Sequence, residues 1–349
     1  MNERKNAEEW MLEHALQQAV TKLAPARKRK VALLVEAFET VLPLPITECE
    51  THFKYSSTGF AHGRIQASNA NGSPPQQDSC NMYQGNWVYD SSYPLYNSSA
   101  CPFIPNEFNC LKYGRPDHLY LKYRWQPTNY QLPRFDAEQL LKTLKGKNLM
   151  FIGDSINVDE EKTGKVLKLI SIRHGDLWKN FDVLIFNTWH WWHRRGQKQQ
   201  WQYVEVDGKI SKDIERMTAF RMALTTWAKW VDSDVDANRT QVIFQGISPS
   251  HYNGAGWNEP GVRNCSRQMT PFMGPVHQTG LTRAVDVVND VISSIKKPVY
   301  LLDITALSQL RKDAHPGSYN PFNGMDCTHW CVAGLPDTWN LLLYTALIK

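Results

Sequence analysis

From Asp136 onward, short apolar segments alternate with amphipathic segments, and this alternation restricts the possible folds more than any other feature. Apolar segments lie at 147–155, 182–189, 240–248 and 298–307, and helices are predicted at 136–145, 213–232 and 280–296. Continuously apolar strands are typical of a parallel sheet that is covered by helices on both faces. The sequence therefore predicts an α/β fold that binds its ligands at the carboxyl ends of the strands.

The composition narrows the class of protein that can contain such a sheet. The 349 residues are 42% hydrophobic and 21% charged, which suffices for a substantial buried core. The net charge of +5 comes from Lys and Arg residues spread along the chain, which argues against nucleic-acid binding. No run of about 18 apolar residues occurs, so neither a membrane span nor a signal peptide is predicted.

The first apolar segment ends in a candidate nucleophile. Gly153 and Asp154 precede Ser155, and a helix is predicted to begin there. The Oγ atom of Ser155 would stand near free backbone N–H groups that can stabilise an oxyanion. Such a serine needs an adjacent base. Asp326 and His329, close together in a turn-rich segment, can supply a carboxylate that orients an imidazole, which predicts a Ser–Asp–His triad.

Other readings of the candidate site residues stay open at this level. Asp326 could be a turn residue, and His329 could bind zinc together with Cys327 and Cys331, although no second Cys/His pair of suitable spacing is present. A further cluster, WHWWH at 189–193, has two histidines without a carboxylate partner, so no metal site is predicted. Its two central residues, Trp191 and Trp192, suit either a surface that stacks sugar rings or an ordinary core.

The cysteines and the N-terminal part of the chain are typical of different classes of protein. Six of the seven cysteines lie in loop-like segments, which indicates disulfides and an oxidising compartment. Residues 1–50 are predicted to form a separate helical segment, in which a basic run is followed by apolar residues: Arg27, Lys28, Arg29, Lys30, Leu34 and Phe38. This pattern suits calmodulin, an anionic membrane surface or an ordinary packed helix. A polar linker at 51–79 leads to a cysteine-rich lobe at 80–134.

Several motifs together carry a resemblance to a known family. GDS, NTWHWW, FQGISPSHY, WNEP and DCTHWCVAGLPDTWN occur in this order and resemble the plant trichome birefringence-like, or PC-esterase, family. The resemblance covers about residues 79–349 and includes the cysteine-rich lobe. It implies an SGNH/GDSL-like catalytic domain at 135–349. It also implies a Golgi O-acetyltransferase that acts on wall polysaccharides such as xylan, mannan or pectin.

The resemblance also implies roles for individual residues. Ser155 would accept the acetyl group from a co-substrate such as acetyl-CoA, without a bound cofactor, while His329 acts as base and Asp326 orients it. Candidate oxyanion or substrate contacts are Gly153, Asp154, Asn187, His190, Trp191 and Trp192. With water as acceptor, the same triad would make the protein a carbohydrate acetylesterase.

The chain departs from the family pattern in two places. The family continues after the serine through an additional strand, whereas only residues 156–181 precede the next strand here. This predicts a missing segment near 157–163, and an additional exon between Asn157 and Thr163 in other transcripts. Tyr130 also stands where the family has Cys. The resemblance then implies that Cys80 and Cys101 lack partners, while four cysteines pair among themselves: Cys110, Cys265, Cys327 and Cys331.

Residues 2–66 resemble a different family, the C-terminal calmodulin-binding domain of plant calmodulin-binding proteins. Cys49 belongs to this part of the chain. The resemblance implies calmodulin as a partner and favours that reading of the basic helix. It also leaves an alternative function, in which the chain is a calmodulin-binding protein with an inactive esterase-like domain.

Overall fold

The computed structural model describes residues 81–153, 158–161, 164–192, 194, 199–274 and 282–349. Several predicted features lie outside these residues, namely the basic helix with Arg27, Lys28, Arg29, Lys30, Leu34 and Phe38, the linker, Cys49, Cys80, Asp154, Ser155 and His193. No helix in the described part of the chain has both the length and the apolar character that crossing a bilayer requires.

The described residues form strands and helices with the following bounds. The strands are β1 (Gly85–Tyr89), β2 (Tyr123–Pro127), β3 (Leu149–Gly153), β4 (Val158–Glu161), β5 (Gly164–Lys168), β6 (Val183–Asn187), β7 (Tyr203–Val206), β8 (Lys209–Ser211), β9 (Gln241–Gln245) and β10 (Val299–Leu302). The helices are α1 (Ala137–Thr143), α2 (Gly175–Trp178), α3 (Arg216–Asp234), α4 (Thr282–Ser294), α5 (Thr305–Gln309) and α6 (Leu335–Ile348).

The central sheet is parallel, as the apolar segments predict. Its strands lie in the order β10-β9-β6-β3, so each strand along the chain is added beside the preceding one. The crossovers from β6 to β9 and from β9 to β10 contain α3 and α4, which pack against each other. Two successive right-handed crossovers in one direction place both helices on the same face of the sheet.

Both faces of the central sheet are buried. Leu184 and Phe186 of β6 belong to the core cluster that includes α3 and α4. Their neighbours Val183 and Ile185 point to the opposite face and belong to the cluster that includes Leu342 of α6. Because successive side chains of a strand point to opposite faces, a strand buried on both sides is continuously apolar. The α/β, SGNH-like class predicted from the sequence is confirmed.

The cysteine-rich lobe shares the core of the central sheet. β1 and β2 form an antiparallel pair in which Trp87 lies opposite Trp125. Both tryptophans are buried in the cluster that contains Val183 and Ile185. The Trp87 Nε1–H also donates to the Leu307 carbonyl at 2.8 Å. The lobe is therefore continuous with the central sheet in its packing.

Three parts of the fold differ from the sequence prediction. Strand β10 ends at Leu302, and the last three residues of the predicted strand 298–307 belong to α5, because a short apolar run does not distinguish a strand from a buried helix. The crossover 156–181 contains the short helix α2 and also β4 and β5, which join β7 and β8 in a second four-stranded sheet that the sequence did not predict. The C-terminal helix α6 was also absent from the prediction, although Pro336 in its first turn is a typical start signal.

Candidate active site

A cavity of about 280 Å³ lies at the carboxyl ends of the central strands. Most of its lining comes from three parts of the chain that are distant in sequence: Asn187 to His190 at the end of β6, Gln245 to Ser248 at the end of β9, and Thr328 to Trp330 in the C-terminal loop. Phe108 of the cysteine-rich lobe and Trp339 of α6 also contribute. The position is the one that a parallel sheet favours for a ligand.

Asp326 and His329 form a hydrogen-bonded pair beside this cavity. The His329 Nδ1 atom lies 2.7 Å from Asp326 Oδ2. The other carboxylate oxygen accepts the backbone N–H groups of Thr328 and His329, each at 3.0 Å. The carboxylate thus fixes the turn and the ring together. With Nδ1 bonded to Asp326, the Nε2 atom of His329 is the ring nitrogen left for a reacting hydroxyl.

The environment keeps the Asp326 carboxylate charged. Burial by itself would raise the pKa of Asp326, because a charged group is poorly solvated away from water. The hydrogen bond and the charge of His329, together with the two N–H donors, outweigh this effect and lower the pKa of Asp326 to about 2. An ionised carboxylate can therefore stabilise an imidazolium on His329 throughout the neutral pH range.

Two aromatic rings restrict the position of the His329 ring. Phe108 stacks on His329 with ring centroids 5.3 Å apart and planes inclined by 29°. His190 approaches with its centroid 6.4 Å away, so the two predicted site histidines lie on one cavity surface. Phe108 had no recognisable signal in the sequence, because it lies in a loop of the lobe. The contact shows that the lobe contributes directly to the candidate site.

Gly153 and Asn187 are paired across the ends of β3 and β6. A Cβ atom added at Gly153 would lie 3.2 Å from the Asn187 Oδ1 atom, which is a tight contact. A larger residue at position 153 would thus displace the amide of Asn187. Ser155 and Asp154 follow this pair in the sequence but lie outside the described residues. The nucleophile and oxyanion roles therefore stay predictions.

The two tryptophans after His190 have different environments. Trp192 is only 3% exposed, belongs to the core, and donates its Nε1–H to Thr188 Oγ1 at 2.8 Å. The predicted carbohydrate contact at Trp192 is therefore wrong, and the core alternative holds. Trp191 is half-buried beside the Arg194 guanidinium, which lies 4.0 Å from its ring, and is not part of the cavity lining. Trp189 and Trp330 line the cavity instead.

Two disulfides hold the loops around the candidate site. Cys110 of the lobe pairs with Cys331, and Cys265 pairs with Cys327. Cys327 and Cys331 flank His329 on both sides, so the turn that carries His329 has a covalent anchor on each side. Their pairing overturns the alternative of a zinc site with these two thiolates. Among the described cysteines, Cys101 is the one that remains a free thiol.

Arg115 connects the lobe to the loop that precedes the turn with Asp326 and His329. Its side chain is buried and forms an ion pair with Asp117 at 2.8 Å. Its remaining N–H groups donate to the carbonyl oxygens of Asp313 and His315 at 2.7 and 2.9 Å. The guanidinium also lies over the ring of Tyr120, 3.9 Å from the centroid. A buried guanidinium needs such a complete set of acceptors, so the lobe and the loop are held in one arrangement.

Three family models match the chain. Residues 132–163 and 157–346 match PC-Esterase, described as a GDSL/SGNH-like acyl-esterase family found in Pmr5 and Cas1p. Residues 78–130 match the PMR5 N terminal domain, and residues 1–43 match a plant calmodulin-binding domain.

Curated proteins of Arabidopsis thaliana are similar to most of the chain. Trichome birefringence-like 38 is 46% identical over 319 residues, which cover 77% of this chain and 84% of that protein. Trichome birefringence-like 39 is 44% identical over 321 residues, with 77% and 87% covered. Trichome birefringence-like 4 is 31% identical over 346 residues, with 77% and 75% covered.

The same comparisons indicate an internal gap in this chain. The alignment with trichome birefringence-like 38 has 319 positions, but it covers only 77% of the 349 residues of this chain, which is about 269 residues. About 50 positions of the alignment therefore have no residue in this chain. The PC-Esterase match is divided into two pieces that meet at 157–163. β3, which ends just before this point, is an edge strand of the described central sheet, and its Phe151 is 62% exposed. These findings support the predicted missing segment, whereas the additional exon stays a prediction.

Proposed function

Since the chain belongs to the PC-esterase family, and is thus of the acyl-esterase or acetyltransferase type, we propose that it transfers acetyl groups to hydroxyls of a plant cell-wall polysaccharide. The observation that carries this proposal is the Asp326–His329 pair beside a cavity at the strand ends. An oriented imidazole that can accept a hydroxyl proton and return it is the central requirement of acyl transfer through a serine.

The proposed reaction has two halves that use the same base. In the first, His329 takes the proton of the Ser155 hydroxyl as its oxygen attacks the acetyl carbonyl of the donor. The C–O or C–S bond to the leaving group breaks, and His329 returns the proton to that group. In the second, His329 takes the proton of a sugar hydroxyl, which attacks the acetyl-serine. The ester bond to Ser155 breaks, and the serine regains its proton.

The lining of the cavity favours a sugar as the acceptor. Trp189, Trp330, Trp339 and Phe108 present aromatic surface, while Asn187 and His190 supply polar groups next to it. Sugar rings have apolar faces and polar edges, and such a mixture of aromatic and polar groups is complementary to them. The acceptor polymer, whether xylan, pectin or mannan, is left to the experiment.

Acetyl transfer can be tested with the purified full chain. The protein is incubated with acetyl-CoA, or a chromogenic acetyl ester, and with xylan, mannan or pectin oligosaccharides, and the products are analysed by mass spectrometry. We expect acetylated oligosaccharide from the unchanged chain and none from Ser155→Ala. Ser293→Ala, at an exposed position of α4, is the matched control. Ester cleavage without transfer would establish the acetylesterase alternative, and the absence of any Ser155-dependent reaction would contradict both enzymatic functions.

We also propose that the N-terminal segment binds calmodulin, because residues 1–43 match a plant calmodulin-binding domain. Calcium-dependent retention on immobilised calmodulin is expected, together with its loss when Arg27, Lys28, Arg29 and Lys30 are all changed to Glu. Loss follows because calmodulin targets combine an apolar face with basic residues.

A control for this charge reversal changes four exposed basic residues of the folded region to Glu: Lys209, Lys212, Arg221 and Lys229. The change in net charge is the same, and retention on calmodulin should be unaffected. Retention that survives the change at 27–30 would show that the basic run is not the binding element.

A Golgi location is part of the proposal and is consistent with the two disulfides, because an oxidising compartment preserves them. The acceptor polysaccharide and the acetyl donor are co-substrates in this proposal, and no bound cofactor is assigned to the described residues.

A further inference from the structure

Two buried histidines lie directly behind the turn that carries Asp326 and His329. His251 and His315 are 4% and 3% exposed. The His315 Nδ1 atom lies 2.6 Å from the carbonyl oxygen of His329, and its Nε2 atom lies 2.6 Å from His251 Nδ1. At the far end, His251 Nε2 lies 2.9 Å from the carbonyl oxygen of Gln309. The two rings thus form a hydrogen-bonded row between two backbone carbonyls.

The row contains three contacts, whereas two neutral imidazoles carry only two ring protons. Both ends of the row face a carbonyl oxygen, which can only accept, so a row in which the two rings also bond to each other has a proton at one end only. The end contact to His329, at 2.6 Å, is shorter than the 2.9 Å contact to Gln309, so we place the proton on His315 Nδ1. His315 Nε2 then has a lone pair and accepts the Nδ1–H of His251. This assignment leaves His251 Nε2 without a proton at the contact to Gln309, which is the longest of the three. Both protons therefore point toward the carbonyl of His329.

The surroundings keep both rings neutral at neutral pH. Burial lowers the pKa of His251 to about 4, against a smaller opposite effect of the Gln309 carbonyl, and burial lowers the pKa of His315 as well. The charged groups that act on the pair are of both signs: Asp313 and Lys312 on His251, and Asp326 and Arg115 on His315. The Trp330 ring stacks on His315 at 3.8 Å and the Trp257 ring lies 5.3 Å from His251, which excludes water.

We propose that His315 is a positioning residue for His329, and that His251 fixes the tautomer of His315 for this purpose. The inference rests on the proposed role of His329 as the base. The loop after β9, which carries His251, also holds the turn through its backbone, since the His251 N–H donates to the Cys327 carbonyl at 2.9 Å. Asp326 therefore orients the ring of His329, while His315 holds the main chain that carries it. Displacement of a reacting group by about 1 Å can reduce a rate roughly a hundredfold.

A pair of amide substitutions separates the two ring nitrogens of His315. The amide nitrogen of Asn occupies the place of Nδ1, so His315→Asn keeps the donor to His329 and loses the contact to His251. The amide nitrogen of Gln occupies the place of Nε2, so His315→Gln loses the donor to His329. We expect kcat to fall roughly a hundredfold in His315→Gln, with KM nearly unchanged, and only a fewfold in His315→Asn. Equal losses in the two variants would contradict the proposal.

A measurement without turnover makes the test independent of the proposed function. In the full chain with ¹⁵N-labelled histidine, long-range ¹H–¹⁵N spectra report which ring nitrogen carries a proton. We expect His315 protonated at Nδ1, His251 protonated at Nδ1, and a change in the His329 ring signals in His315→Gln that His315→Asn does not show. A His315 ring protonated only at Nε2, or unchanged His329 signals in both variants, would overturn the inference even in an inactive chain. Thermal unfolding of both variants shows whether the folded state is retained.

Discussion

Replacement of Asp326 by Asn is expected to reduce kcat for acetyl transfer roughly ten-thousandfold while the protein remains folded. The carboxylate accepts the Nδ1–H of His329 at 2.7 Å and so fixes both the tautomer and the orientation of the ring. An amide at this position can donate to Nδ1, which would place the ring proton on Nε2, where the base must accept one.

The controls for this prediction use pH and a second aspartate. Because the pKa of Asp326 is lowered to about 2, its carboxylate stays ionised between pH 5 and 8, and a large loss in Asp326→Asn should be present throughout that range. Asp286→Asn, at an exposed position of α4, should leave kcat unchanged. Asp326→Asn with more than about a tenth of the original kcat would show that the pair does not act in catalysis.

The depressed pKa of Asp326 also has a consequence for stability. A carboxylate whose pKa is lower in the folded state contributes stability above its unfolded pKa, and that contribution is lost as pH falls through about 2. His251 affects the stability of the fold at higher pH than Asp326 does. Because its folded pKa is lowered to about 4, its contribution is present above about 6.5 and is lost as pH falls toward 4.

The sequence predicted the parts of the fold that depend on local pattern. β6 and β9 are continuously apolar because both faces are buried, and this is visible in any single segment. The second sheet was missed because strands such as β4 and β8 are short and carry polar residues, so that they depend on their neighbours for stability. Residue type and order likewise predicted Asp326 and His329, which the structure brings into contact.

Other parts of the candidate site depend on contacts between distant segments, and a single sequence does not contain them. Phe108 and His329 are 221 positions apart, and nothing in the loop around Phe108 indicates a stacking partner. His251 and His315 are 64 positions apart, and each alone is indistinguishable from an ordinary buried histidine. Trp192 was misplaced for a related reason, because an aromatic residue suits a sugar surface and a core equally well.

The two functions proposed for this chain require different environments. The disulfides around His329 persist in an oxidising compartment, whereas calmodulin acts as a calcium sensor where calcium concentrations change in the cytosol. A molecule that meets calmodulin in the cytosol would therefore have reduced thiols at Cys327 and Cys331. The contribution of the two disulfides to the free energy of unfolding decides whether the PC-esterase region stays folded in that state.

Removal of the Cys110–Cys331 disulfide is expected to lower the free energy of unfolding by about 5 kcal/mol, because it closes a loop of 221 residues. Removal of Cys265–Cys327, with a separation of 62 residues, should cost about 4 kcal/mol by the same relation. The measurement is denaturant unfolding of the paired Cys→Ser variants, with Cys101→Ser as the control for a thiol outside any disulfide. A loss below about 1 kcal/mol for either pair would contradict this expectation.

Loss of the Cys110–Cys331 disulfide should also disturb the candidate site locally, at denaturant concentrations too low to unfold the whole protein. The Val332 N–H donates to the Phe108 carbonyl at 2.9 Å, one residue beyond the disulfide, and Phe108 stacks on His329. Without the covalent link, the lobe can separate from the turn while the central sheet stays folded. We therefore expect Cys110→Ser/Cys331→Ser to lose acetyl transfer at denaturant concentrations where the sheet remains intact by circular dichroism. Coincident loss of activity and secondary structure would show instead that the lobe and the sheet unfold as one unit.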